Sequence, residues 1–290
     1  VRRQTGVDVP KISLVINVDS RPTFLNDLTC TSAVDGSVKS GGTRSVDYIV
    51  AGVENKIRFF DEYDREVIVY CDLHEALPAE VMRYLTDSVQ SGRINKLILS
   101  RHDETYEGNF FPYWNDITYM QALSQARGPL VAHFDGDAAV FKRDRRILDQ
   151  WIGRLERGEA AYICNPSPHS PDPVSDPNFD YRWASTRFFM CRKESLDISE
   201  IERCLKSSDY LYRTYGDRKM KCPWLEHILG LMAKQEVWYP PMQTEEILIF
   251  CWSRYRLGTL ERLNGQTFDE VAHYVRKCGG INYPCDVFGA

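Results

Sequence analysis

No apolar run in this sequence approaches the roughly 18–20 residues that a helix needs to cross a bilayer. The longest, such as Lys11–Val18 and Ile247–Trp252, are far shorter, so no transmembrane anchor is expected. The opening Val1-Arg2-Arg3-Gln4 carries charge with no apolar segment behind it, and no secretory signal is expected there. Cys-x-x-Cys pairs are missing, and the nine cysteines are odd in number and scattered. That pattern argues against a disulfide framework and against a structural zinc site. Buried thiols in a reducing, cytoplasmic setting are the expectation. An excess of positive charge is also lacking: 36 Lys and Arg against 41 Asp and Glu leave a net charge of −5. Non-specific nucleic-acid binding is thereby disfavoured, and no nucleic-acid partner is expected. Repeats and low-complexity tracts are absent, and a chain of 290 residues with 43% hydrophobic composition is long and apolar enough to build a sizeable core.

What is present is an alternation of β-like and helical patterns over the first 140 residues. Ile12–Val18 reads as a buried strand ended by Asp19-Ser20-Arg21-Pro22, because proline cannot continue the ladder. A polar, glycine-containing loop is expected from Thr29 to Gly42, then a helix through Val46, Ile49, Val50, Val53, Ile57 and Phe60. Val67–Cys71 is a second strand ending at Asp72; Pro78 opens a helix to about Val89. Leu97–Leu99 is a third strand, Trp114–Ala126 a helix, and Leu130–Phe134 a fourth strand entering Asp135-Gly136-Asp137. This order predicts an α/β fold, a mostly parallel Rossmann-like sheet flanked by helices. The second half is less regular, with a helix at Ile147–Leu155, strands at Ala160–Cys164, Thr186–Cys191 and Glu236–Tyr239, and helices at Ile198–Leu205 and Trp224–Lys234. Between them Asn165–Asp180 packs five prolines into a long loop of the kind that serves as a lid or binding loop. The division expected is a nucleotide-binding α/β half over 1–141, an acceptor-side half of the same domain over 142–250, and a C-terminal extension with helical pattern over 251–290.

In parallel sheets ligands bind beyond the carboxyl ends of the strands. That rule singles out Asp19-Ser20-Arg21, Asp72, Ser100-Arg101-His102 and Asp135-Gly136-Asp137. The last is the sharpest signal: carboxylates at i and i+2 of an extended segment share a face, and both reach one hard divalent cation. A cation held there bridges a diphosphate and neutralises charge on the departing phosphate. The bland alternative is an acidic turn after a strand.

The stretch Ala126-Arg127-Gly128-Pro129-Leu130-Val131-Ala132-His133-Phe134-Asp135-Gly136-Asp137 resembles the segment that ends in Asp-x-Asp in GT-A glycosyltransferases, especially the family 2-like enzymes. Ile12 to Pro22 is similar to that family's first strand and turn. The resemblance implies a metal-dependent enzyme that moves a sugar from a nucleotide-diphosphate donor to a hydroxyl acceptor, a glycan or small molecule, by inverting displacement. It implies Mn²⁺ or Mg²⁺ on Asp137, with Asp135 at the ribose or on the metal through water, and Gly136 beside the donor. Val18, Asp19, Arg21 and Asp72 would frame the nucleoside, and Arg101 would lie on the same edge. Asp72 is followed by Leu73-His74-Glu75 rather than the family's Asp-Gly-Ser-like cluster, and the usual Arg-Asn pair before the Ala-x-Gly is replaced by Tyr119-Met120-Gln121.

An inverting transferase needs a carboxylate base on the acceptor side. Glu226, in Pro223-Trp224-Leu225-Glu226-His227, fits the start of a helix where such a base is expected; it is equally a favourable charge at a helix N-terminus. Asp180 and Asp217 are reserve candidates. Trp183 and Trp224 are placed to stack on an acceptor sugar, or belong to the core. His133 is read as a core or supporting residue, His273 as a structural helix residue or a third metal ligand, and Lys142–Arg146 as a phosphate-facing run or a solvated face. Two other functions compete: a non-catalytic nucleotide- or glycan-binding domain, and a phosphohydrolase of the haloacid dehalogenase type, which also uses Asp-x-Asp but in its first strand.

Overall fold

The structure, a computed structural model, describes residues 11–19, 29–31, 38–40, 46–73, 76–100, 112–136, 138–164, 188–206, 212–215, 218–221, 229, 236–241, 244–251 and 263–277. Its frame is β1 (Ile12–Asp19), β2 (Thr29–Thr31), β3 (Val38–Ser40), α1 (Val46–Phe59), β4 (Arg65–Asp72), α2 (Ala79–Gln90), β5 (Lys96–Ser100), α3 (Pro112–Ser124) and β6 (Leu130–Phe134). There follow β7 (Ala138–Lys142), α4 (Arg146–Glu156), β8 (Tyr162–Cys164), β9 (Phe188–Arg192), α5 (Ile198–Lys206), β10 (Tyr212–Tyr215), β11 (Arg218–Lys221), β12 (Val237–Trp238), β13 (Ile247–Cys251) and α6 (Phe268–Lys277).

Seven strands form one mixed, mostly parallel sheet in the order β12-β8-β9-β6-β1-β4-β5. β1 lies between β4 and β6 and runs parallel to both; β9 alone opposes its neighbours β6 and β8. A central parallel strand is covered on both faces, which is why β1 reads as an unbroken apolar run apart from Ser13 and Asn17. Ile12, Leu14, Ile16 and Val18 pack with α1, α2, α4 and the C-terminal segment, whereas Val15 packs with α3 and α5 on the opposite face. The expected α/β architecture is therefore the one found. α2 and α4 end alike, at Gly92 (φ 75°) and Gly158 (φ 71°), the left-handed position where glycine carries no Cβ penalty.

Six strands depart from the expectation. The Thr29–Gly42 stretch is not all loop: β2 pairs with β3 within it. β7 directly follows the acidic turn, and β13, noted in the sequence only as an apolar run, pairs antiparallel with it from 105 residues downstream (Ile247↔Lys142). β10 and β11 form a hairpin that the sequence did not signal. Three- to five-residue strands are too short for alternation to register, and β13 is defined by a partner that only the fold supplies. The Asn165–Asp180 loop and all but Leu229 of the expected Trp224–Lys234 helix lie outside the described residues.

The C-terminal segment folds back onto α1 and β7. The Asn55 side chain on α1 donates Nδ2–H to the Val140 carbonyl at 3.0 Å and accepts the Val140 N–H at 2.8 Å, imitating a neighbouring strand. The same Nδ2 reaches Asn264 Oδ1 at 2.9 Å, and Asn264 Nδ2 donates to the Ala51 carbonyl at 3.0 Å. Arg143 closes the arrangement with two hydrogen bonds to the Asp269 carboxylate, at 2.6 and 3.1 Å.

Candidate functional site

The parallel strands β6, β1, β4 and β5 all end on one edge of the sheet. Asp19 is in register with Asp72, Asp72 with Ser100, and Ile16 with Phe134, so Asp135 leaves β6 beside the last turnings of β1. The backbone thus brings Asp19, Asp72, Asp135 and Gly136 to one edge. Val18 is buried in the core just beneath it. Asp137, Arg21, Arg101, Trp183, Trp224 and Glu226 lie outside the described residues, as do Asp180 and Asp217.

Asp135 is half-buried, and its carboxylate is held from below. His133, completely buried, places Nε2 3.2 Å from Asp135 Oδ1 and Nδ1 3.0 Å from the Val15 carbonyl oxygen. A carbonyl only accepts, so Nδ1 carries the hydrogen that is donated to Val15, and Nε2 is left facing Asp135 Oδ1. Burial pushes the imidazole below its ordinary value; the Asp135 carboxylate and the Val15 carbonyl pull it up, and the positive field of Lys56 pushes it down again. Aromatic rings fix its plane: Tyr119 at 4.2 Å between centroids, Phe189 at 5.7 Å and Tyr70 at 6.1 Å. Next to this stack, Asn17 Nδ2 donates to the Tyr70 hydroxyl at 2.9 Å.

On the other side of the turn, α1 comes close. Lys56, fully buried, donates from Nζ to the carbonyl oxygens of Gly52 and Gly136, each at 3.2 Å. A Cβ at Gly52 would lie 3.4 Å from the Gly136 oxygen, in van der Waals contact, so α1 passes within a methyl group's reach of the acidic turn. Lys56 was not singled out from the sequence. The available signal was a lysine inside a helix whose surroundings are apolar on nearly every side, where a charge requires a specific partner.

The Lys142–Arg146 run is paired within the protein. Lys142 meets Glu62 at 2.7 Å and lies over the Phe59 ring; Arg143 meets Asp269; Arg145 meets Asp149 at 2.9 Å; Arg146 meets Asp144 at 2.7 Å. From Arg143 to Arg146 this is a solvated charged face, whereas the Lys142 side chain is buried. His273 is exposed on α6. Among the described residues no group of three or more His, Cys, Asp or Glu side chains is gathered to hold a metal, and no helix is long and apolar enough to cross a membrane. The donor chemistry at Asp135 nonetheless suits a hard cation: a partly exposed carboxylate at a strand end, oriented by a buried imidazole.

No family model matches the chain, and no curated protein matches it. Among solved structures, it is similar to the mannosyltransferase PcManGT from Pyrobaculum calidifontis in complex with GDP-Man and Mn²⁺, at 14% identity and a TM-score of 0.41, over 80% of this chain and 55% of that one. It is similar to TarS of S. aureus at 10% identity and a TM-score of 0.38, over 82% of this chain and 60% of that one. It is similar as well to the glycosyltransferase GlyE of Streptococcus pneumoniae at 10% identity and a TM-score of 0.41, over 80% and 46%. The chain thus spans about half the length of these proteins, and likeness this distant leaves the chemistry to be argued from the residues themselves.

Proposed function

We propose that this chain is a GT-A type glycosyltransferase that moves a sugar from a nucleotide-diphosphate donor to a hydroxyl acceptor. The observation that supports it is the convergence of Asp19, Asp72 and Asp135 on one carboxyl edge of adjacent parallel strands, with Asp135 already oriented by His133. An edge rich in carboxylates suits ribose hydroxyls and a cation that carries a diphosphate.

In this reading Asp137 and Asp135 hold Mn²⁺ or Mg²⁺, while Asp19, Arg21, Asp72 and Arg101 surround the nucleoside and Gly136 lets the donor approach the backbone. The cation, when bound, supplies positive charge to the departing diphosphate. Glu226 accepts the proton of the acceptor hydroxyl, whose oxygen forms the new bond to the anomeric carbon as the bond from that carbon to the diphosphate oxygen breaks. Trp183 and Trp224 present flat apolar faces to the acceptor. Such a displacement inverts the anomeric centre.

The first test is thermal melting of the protein with UDP, GDP, CDP and ADP, each with Mn²⁺ and with EDTA. A ligand that binds only the folded state raises the melting temperature. A shift with one nucleotide that disappears in EDTA is expected; no shift with any of them would sink the reading. Once a donor is known, Glu226→Gln is expected to leave the nucleotide-dependent shift intact while lowering transfer by roughly 10²–10⁴-fold, the usual weight of a general base. Unchanged transfer would place the base elsewhere.

A further inference from the structure

We propose that Lys56 is a positioning residue, a buried ammonium on α1 that clamps the Gly136 carbonyl and so sets the geometry in which the turn carrying Asp135 receives a divalent cation. The proposal rests on the reading of that turn as a cation–diphosphate site.

The argument begins with the cost of placing the group there. An ammonium taken fully out of water is expensive unless its hydrogens find acceptors. Lys56 is completely buried, and its Nζ lies 3.2 Å from two carbonyl oxygens, Gly52 in its own helix and Gly136 in the turn. The first acceptor is local, one helical turn back, where a helical side chain naturally leans. The second belongs to a segment 80 residues away and is the one that carries information. That oxygen belongs to the residue that follows Asp135, so holding it restrains the backbone that carries the Asp135 carboxylate. Gly52 completes the contact. A methyl group there would lie at van der Waals distance, 3.4 Å from the Gly136 oxygen and 3.6 Å from the Lys56 nitrogen, so the helix approaches the turn closely at this position.

The turn is thereby gripped from both sides. His133 holds the Asp135 carboxylate on the α3 face, and Lys56 holds the Gly136 carbonyl on the α1 face. α1 is in turn stapled to β7, the strand leaving the turn, through Asn55 and Val140. A carboxylate pair that binds a cation well is one whose backbone does not have to reorganise when the cation arrives.

The electrostatic and positional roles of Lys56 predict opposite signs, which makes the test sharp. A positive charge near a cation site repels the cation, so by Coulomb's law alone its removal tightens binding. If Lys56 acts by position, its removal weakens binding. The experiment is titration of the full chain with Mn²⁺ at a saturating concentration of the nucleoside diphosphate that gives the thermal shift, followed by calorimetry or by the Mn²⁺ paramagnetic resonance signal. Wild type, Lys56→Met and Lys56→Gln are compared, each with its circular dichroism and melting curve. Methionine keeps the length and apolar stem; glutamine stops short of the turn but stays polar, and carries the measurement if the methionine variant does not fold.

The expected result is a folded variant whose Mn²⁺ affinity is weaker by about 10–100-fold, the usual effect of losing a group that supports a metal ligand. Unchanged or tighter Mn²⁺ binding in a folded variant overturns the proposal while leaving the cation site standing. Failure of both variants to fold makes Lys56 a structural ion and also overturns it. A wild-type protein that binds no Mn²⁺ with any of the four nucleotides removes the cation reading itself, and the role of Lys56 with it.

Discussion

Asp137→Ala is expected to abolish metal-dependent sugar transfer, by roughly 10³-fold or more, while leaving the protein folded. The size follows from the several kcal/mol by which a bound cation stabilises charge on a departing phosphate, each 1.36 kcal/mol being about tenfold in rate. Survival of the fold follows from the way the two flanking strands are anchored. β6 is locked between β1 and β9, and β7 is held by β13 and by the Asn55 side chain, so neither depends on the turn between them. The decisive measurement is melting with and without Mn²⁺ and the responsive nucleotide. The variant should melt like wild type in EDTA and should show no ligand-dependent rise. Full activity or a full ligand-dependent rise in this variant would move the metal site away from the turn.

The second large effect lies at the opposite end of the sheet and concerns stability. Glu66 on β4 is in register with Ser13 on β1, and both are buried. The Glu66 carboxylate accepts hydrogen bonds from the Ser13 hydroxyl at 2.6 Å, from Arg127 Nε at 2.8 Å and from the Arg127 backbone N–H. Ser13 Oγ accepts in turn from the backbone N–H groups of Arg127 at 3.1 Å and Gly128 at 2.8 Å. The knot therefore ties the turn between α3 and β6 to the amino ends of two central strands. Glu66→Ala leaves those donors facing a cavity and is expected to cost about 3 kcal/mol, within the range for breaking a buried charged network.

The same knot has a pH signature. Burial alone would raise the Glu66 carboxyl, but the Ser13 hydroxyl and the Arg127 N–H and guanidinium outweigh it and hold the group below the ordinary glutamate value. A lowered value in the folded state means that the unfolded chain binds the proton more readily. The stabilisation is therefore complete above the ordinary glutamate value of about 4.3 and is lost as the pH falls through the lower folded one. Urea unfolding at neutral pH and near pH 3 checks this: wild type should lose more stability on acidification than Glu66→Gln, which has no carboxylate to protonate. Equal losses would show that the network holds no such proton linkage.

Much of this molecule was legible in residue order. The runs Ile12–Val18, Val67–Cys71, Leu97–Leu99 and Leu130–Phe134 lie in strands, and the helical spacing that starts at Val46 is α1, which ends at Phe59. These patterns are local, because a fully buried parallel strand is continuously apolar and a packed helix repeats every three to four residues, whatever their neighbours. The rule that ligands gather at carboxyl strand ends then pointed to Asp19, Asp72 and Asp135 without coordinates. What residue order did not carry was partnership. Nothing near Ile247 announces that its strand pairs with the one after the acidic turn, and nothing near Asn55 or Lys56 announces that a helix side chain will hold a backbone 80 or more residues away. Ser13 and Glu66 were not singled out in residue order, and only the register set them side by side. Composition and periodicity determine which face of an element is buried; which polar groups meet inside that burial is decided only when the elements pack, because each such pairing is a relation between distant residues.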